Sequence, residues 1–194
     1  MKKLLITGFD SFGGAVINPS REAVQRLPEK IGEYEIYKLV LPTIYEKAAE
    51  ILLAKACELL PDVIISVGQA GGRNAVTPER IAVNIRAART PDNEGTLLDG
   101  DRIAPAGPAA YFSTLPVEAM RNAIRSKGIP SAVSNTAGSF VCNDVMYSAL
   151  HHYDGTGVRC GFIHVPYLPE QGEPNLPLER TVIALIAAIE ALAP

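Results

Sequence analysis

Few residues in this chain have the capacity for covalent chemistry. It holds three cysteines, Cys57, Cys142 and Cys160, and three histidines, His151, His152 and His164. Cys142 stands apart by its setting, Ser134–Tyr147, which reads SNTAGSFVCNDVMY. Small polar residues give way to an apolar pair, then to a helical pattern. A cysteine where a loop becomes a helix lies among unpaired backbone N–H groups carrying partial positive charge. These favour the thiolate, the reactive form. The commoner role of a cysteine is apolar packing, so its partners decide. His151 and His152 fall roughly 13–15 Å along the helix that Cys142 begins, too far for a hydrogen bond. His164 ends a separate strand, where open α/β sheets gather functional groups, so it is the histidine that fits as a base. A thiol hydrolase also needs an acidic group to hold the base's tautomer and balance its charge. Spacing leaves Glu79, Asp10, Asp62 and Asp144 as candidates.

The totals narrow the classes that could hold such a site. With 194 residues, 47% of them hydrophobic, the chain can bury one sizeable core, and a single domain spanning 1–194 is expected. A net charge of −3 leaves no basic footprint for nucleic acid. No apolar run approaches the roughly 18 residues of a membrane span. Met1-Lys2-Lys3 followed by apolar residues resembles a leader only briefly, because the run meets Thr7, Gly8 and Asp10. The cysteines have neither metal nor disulfide spacing, so no metal site is read from them and a reducing, cytoplasmic setting is expected.

The elements that must position these residues are marked by periodicity and punctuation. Lys3–Thr7 reads as a buried strand, followed by the loop Gly8–Gly14 with Phe9 and Phe12 on it. Asn18-Pro19-Ser20 has the form of a helix start. Tyr34–Leu41 reads as a strand, and Ile44–Leu60 as an amphipathic helix with Ile51 on its stripe and Cys57 packed beside it. Asp62–Val67 is a buried strand leading into Gly68-Gln69-Ala70-Gly71-Gly72-Arg73, where Gln69 could pair with another amide. Ile81, Val83 and Ile85 alternate as in a strand, with Glu79 at its entrance, where on its own it reads as a solvated carboxylate. The turn-rich segment Arg89–Tyr111 predicts a hairpin or excursion. Leu115–Lys127 predicts a helix, Ser131–Ser134 a short strand, and Cys142 to about Tyr153 a helix. Arg159–Val165 predicts a strand ending near His164, and Leu178–Leu192 a terminal helix. Alternation of this kind predicts an α/β fold: an open, twisted, mostly parallel sheet with helices on both faces.

Several of these segments together resemble pyroglutamyl peptidase type I, a cysteine peptidase family. They are Gly8-Phe9-Asp10-Ser11-Phe12-Gly13-Gly14, Asn18-Pro19-Ser20, Gly68–Arg73, Thr77-Pro78-Glu79-Arg80, Tyr111–Pro116, Ser134–Tyr147 and Phe162-Ile163-His164-Val165-Pro166. The resemblance spans essentially the whole chain. It implies a triad of Cys142, His164 and Glu79, so that Glu79 is the carboxylate. It implies removal of N-terminal pyroglutamyl residues from peptides through a thioester, without cofactor. Phe9, Phe12, Phe140 and Val141 would form the substrate pocket, with Gln69 reading the lactam and the backbone N–H near Arg89 serving as an oxyanion donor. A purine nucleoside phosphorylase-like architecture and a homodimer or homotetramer are also implied. One departure is Ser11, where the family often carries proline, which should change loop stiffness rather than chemistry. A nucleoside phosphorylase-like enzyme, a pyroglutamyl-peptide binding protein and a glutaminase-type thiol hydrolase are the rival readings.

Overall fold

The first strand sets the layering. In the computed structural model, which describes residues 1–192, β1 (Lys2–Phe9) is buried from Leu4 through Phe9. The last two positions of the expected 1–194 domain lie outside the described residues. A strand buried on both faces needs cover on both sides, and the chain supplies it. The elements then run α1 (Pro19–Gln25), β2 (Lys30–Ile31), β3 (Tyr34–Leu41), α2 (Lys47–Leu59) and β4 (Val63–Gln69). Short strands follow: β5 (Thr77–Pro78), β6 (Ile81–Val83), β7 (Arg86–Ala87), β8 (Asp99–Asp101) and β9 (Ala110–Phe112). The chain closes with α3 (Val117–Ser126), α4 (Val141–His152), β10 (Arg159–Val165) and α5 (Leu178–Glu190).

The main sheet has six strands in the order β2-β3-β1-β4-β10-β5. The four central strands pair in parallel, while β2 and β5 are antiparallel at the edges. It is therefore a mixed sheet with a parallel centre. Strand alternation sends Leu4, Ile6, Val63, Ile65, Ile163 and Val165 into one core, shared with α1, α3 and α5. Leu5, Phe9, Ile64, Cys160 and Phe162 enter the other, shared with α2 and α4. By the same parity His164 faces the α4 side, two residues beyond Phe162. Two small antiparallel pairs, β6 with β9 and β7 with β8, tie the expected excursion Arg89–Tyr111 back to the Ile81–Ala87 stretch that precedes it.

Several local expectations are corrected. Ile81 and Val83 are only partly buried and Ile85 is exposed, whereas Ala82 and Asn84 are buried. The strand β6 is real but its phase is inverted, because α4 packs against the Ala82 side and Asn143 bonds the Val83 backbone. Ser131–Ser134 makes only isolated bridges to Val76 and Glu79. Its neighbour segment carries Pro78, which has no N–H to extend a ladder. Ile51 and Cys57 are exposed rather than packed.

Candidate active site

Cys142 occupies the second position of α4. The turn before the helix uses Gly138 at φ +80, a conformation that favours glycine. The thiol lies over β4: a Cβ placed on Gly68 would come within 2.8 Å of Cys142 Sγ and 2.7 Å of Phe162 Cζ. Gly68 and His164 are register partners on the paired strands β4 and β10. Cys142 and His164 line the same cavity. The helix start does not make the resting thiol acidic, however. Withdrawal from water and the charge of Glu79 push Cys142 up to about 12, against the opposing effects of Arg73 and the local backbone N–H. The local backbone N–H does favour the thiolate, as expected of the helix start, but burial and the Glu79 charge outweigh it.

His164 is 4% exposed and its Nδ1 donates to Glu79 Oε1 at 2.7 Å. A carboxylate only accepts, so Nε2 is the nitrogen left for the cavity. Glu79, expected on its own merits to be solvated, is fully buried. It follows β5, and its own N–H bonds Phe162 O at 2.9 Å, which fixes it beside β10. Arg73 Nη1 donates to the same Oε1 at 2.6 Å and to Thr77 Oγ1 at 2.6 Å. Burial pushes the Glu79 carboxyl up, but the bond and charge of His164, with smaller contributions from Ser134 and Arg73, outweigh it and hold it below its ordinary value. Its Oε2 has no hydrogen-bond partner among the described residues. The rival carboxylates are committed elsewhere. Asp10 accepts from Thr43, Asp62 from the Lys3 backbone, and Asp144 from Arg86.

The cavity beside the thiol measures about 160 Å³ and is lined by Phe9, Phe12, Phe140, Gln69, Thr43 and Asn18, among others. Phe12 and Phe140 have ring centroids 5.9 Å apart, and Tyr45 meets Phe140 edge-on at 5.3 Å. Such offset and edge contacts hold a rigid apolar wall. Asp10 anchors the loop that carries Phe12, through Thr43 N and Oγ1 at 2.8 Å each. Val141 is fully buried in the core at the head of α4, and Arg89 is exposed; neither lines this cavity.

The amide of Gln69 has a fixed sense. Gln171 Oε1 accepts from the Leu168 backbone N–H at 3.0 Å, a donor that cannot be reversed. Gln171 Nε2 therefore donates, reaching Ile17 O at 3.3 Å and Gln69 Oε1 at 2.9 Å. Gln69 Nε2 is left as a donor. Neither Arg73 nor Gln171 was singled out by sequence reasoning. Arg73 closes a glycine-rich turn, the one cue available, whereas Gln171 lies 102 positions from its partner.

A family model described as pyroglutamyl peptidase matches residues 2–194. The pyrrolidone-carboxylate peptidase of Levilactobacillus brevis is 50% identical over 197 residues, covering 98% of this chain and 97% of that protein. That of Lactobacillus johnsonii is 48% identical, covering 98% and 92%. Among solved structures, the pyroglutamyl peptidase I of Bacillus amyloliquefaciens superposes with a TM-score of 0.96 at 44% identity, covering 100% of this chain and 97% of that one. A variant pyrrolidone carboxyl peptidase from Pyrococcus furiosus gives 0.93 at 42% identity, covering 98% and 97%.

Proposed function

Since the chain belongs to the pyroglutamyl peptidase family, cysteine peptidases that remove N-terminal pyroglutamate, we propose that Cys142, His164 and Glu79 perform that hydrolysis here. The observation that carries this reading is the buried His164–Glu79 pair, whose Nδ1–Oε1 bond leaves Nε2 as the available ring nitrogen, on a histidine that shares a phenylalanine-lined cavity with a thiol set over Gly68.

A thiol whose ionisation is opposed by burial must lose its proton as it attacks. His164 Nε2 takes the Cys142 proton, and Glu79 balances the charge that forms on the ring. Sγ bonds to the pyroglutamyl carbonyl carbon. Backbone N–H groups of Cys142 and, following the family resemblance, Arg89 receive the oxyanion; a donor in such a position is worth about 3–4 kcal/mol. The C–N bond then breaks as His164 returns its proton to the leaving amine. Water adds to the thioester, giving its proton to His164, and the thiol is restored as pyroglutamate departs. Arg73 is a positioning residue in this scheme, because it holds the carboxylate without entering the cavity.

The cavity suits a lactam. Pyroglutamate carries no α-ammonium charge, so walls of Phe9, Phe12 and Phe140, the last backed by Val141, desolvate it cheaply. They penalise a charged N-terminus left unpaired. Gln69 Nε2, fixed as a donor by Gln171, supports hydrogen bonding to the lactam carbonyl oxygen rather than to its N–H. A buried polar group used in this way discriminates strongly.

We infer further that residues 1–194 act as one catalytic domain of the purine nucleoside phosphorylase-like kind, cytoplasmic and assembled as a homodimer or homotetramer. Exposed Phe112 and Leu97, which a second copy would cover, support assembly. The functional test is hydrolysis of a pyroglutamyl-linked chromogenic amide by Cys142→Ala and Cys57→Ala variants side by side. Activity is expected to vanish in the first and persist in the second. Loss in both, or in neither, would contradict the assignment.

A further inference from the structure

The cavity beside Cys142, about 160 Å³, has room for the pyroglutamyl ring, and the peptide that follows the scissile bond must leave it. Cavities lined by Lys2, Asp62 and Arg159, and by Tyr111, Tyr153 and Asp154, share no residue with it. A groove of about 730 Å³ does: Phe12 and Gln69 line both.

This groove is built rather than incidental. One wall is the loop after β1, with Ala15, Val16 and Ile17; the other includes Pro91 and Tyr167. Val16 is 93% exposed, which a β-branched apolar side chain gains from only if something covers it. Three hydrogen bonds hold the loop in place. Asn18 Nδ2 donates to Asp10 O at 2.8 Å, Asn93 Nδ2 to Ser11 O at 3.0 Å, and Gln171 Nε2 to Ile17 O at 3.3 Å. The Gln171 amide thus ties the loop to Gln69, joining the floor of the groove to the wall of the catalytic cavity. Tyr167 packs in the space that a side chain on Gly71 would fill. Glu170 is a carboxylate on the groove lining, and neither lysine nor arginine stands among the described residues that form it.

We propose that this groove binds the peptide segment downstream of the scissile bond, taking an apolar side chain against Val16 and Pro91 and favouring a cationic one near Glu170. The assignment rests on the reading of Cys142 as nucleophile. Its role is specificity: contacts remote from the reacting bond raise kcat/KM for longer peptides. A leaving peptide is favoured over a second copy of the chain because the groove is continuous with the catalytic cavity.

The test uses pyroglutamyl-Ala, pyroglutamyl-Ala-Leu-Lys amide and pyroglutamyl-Ala-Leu-Glu amide, read as ratios of kcat/KM within each variant. For an exposed carboxylate, the Lys peptide should exceed the Glu peptide by about threefold, and less at high salt. Glu170→Gln should bring that ratio near one, and Glu170→Lys should invert it. Val16→Asp should lower the advantage of either long peptide over pyroglutamyl-Ala. Each ratio is normalised to the dipeptide, so a failure of the catalytic reading appears as loss of all cleavage, separate from a failure of the groove. Unchanged ratios in Glu170→Lys, or altered sedimentation with unchanged ratios, would overturn the proposal, the latter giving the face to a second copy.

Discussion

Gly68 offers the sharpest perturbation of the site. Alanine there would place a Cβ 2.7 Å from Phe162 Cζ and 2.8 Å from Cys142 Sγ. Phe162 is fully buried between the strands and α4, so it has little room to yield. Ordinary contact begins at 3.4 Å, which requires the thiol to retreat by about 0.6 Å. Displacements near 1 Å cost on the order of a hundredfold in rate, so kcat/KM should fall about tenfold or more. Overpacking should cost stability as well, about 1–3 kcal/mol. Gly161→Ala separates the two effects. Its Cβ would meet Leu115 and Ser113 on the opposite face, so it should destabilise while leaving kcat/KM of the folded enzyme intact. The assay is steady-state hydrolysis of a pyroglutamyl anilide well below the melting temperature, with thermal unfolding in parallel. Wild-type kcat/KM in Gly68→Ala, or an equal loss in Gly161→Ala, would refute the placement of the thiol over β4.

Two further expectations concern ionisation and access. Glu79 is held below its ordinary value of 4.5 in the folded chain, so it contributes stability above that pH, and the contribution is lost as pH falls through the lower folded value. The difference in melting temperature between wild type and Glu79→Gln should therefore change on acidification from pH 6 to pH 3, narrowing any wild-type advantage; a pH-independent difference would contradict the lowered value. For thiol access, Cys57 is exposed, whereas Cys142 lies in a small cavity with its proton held to about 12. A bulky maleimide should label Cys57 first in the free enzyme, as read by peptide mapping. Faster labelling of Cys142 would show that the resting thiol is already ionised.

The parallel centre of the sheet was legible because its strands are buried on both faces. The runs Leu4–Phe9, Val63–Val67 and Cys160–Ile163, the last followed by His164, carry continuous apolar or small residues. The terminal position of His164 could be read from the same run, and its choice over His151 and His152 from helix length. What sequence reading missed depended on distant chain crossings. Glu79 reads as solvated until β10 and Arg73 enclose it. The phase of Ile81–Ile85 follows from α4, which lies some sixty positions further on. The sense of the Gln69 amide is dictated by the Leu168 backbone through Gln171, a relation no local pattern encodes. The acidity expected of Cys142 reflected the helix start alone and omitted burial, which outweighs it.

The central claim is that Cys142 carries the acyl group during turnover. Rapid acid quenching in the pre-steady state, followed by peptide mass mapping, reads it directly. The account predicts a pyroglutamyl thioester on the peptide containing Cys142, formed within the first turnover and removed by hydroxylamine. Turnover with no adduct at Cys142, or with the adduct on Cys57 or Cys160, would contradict it.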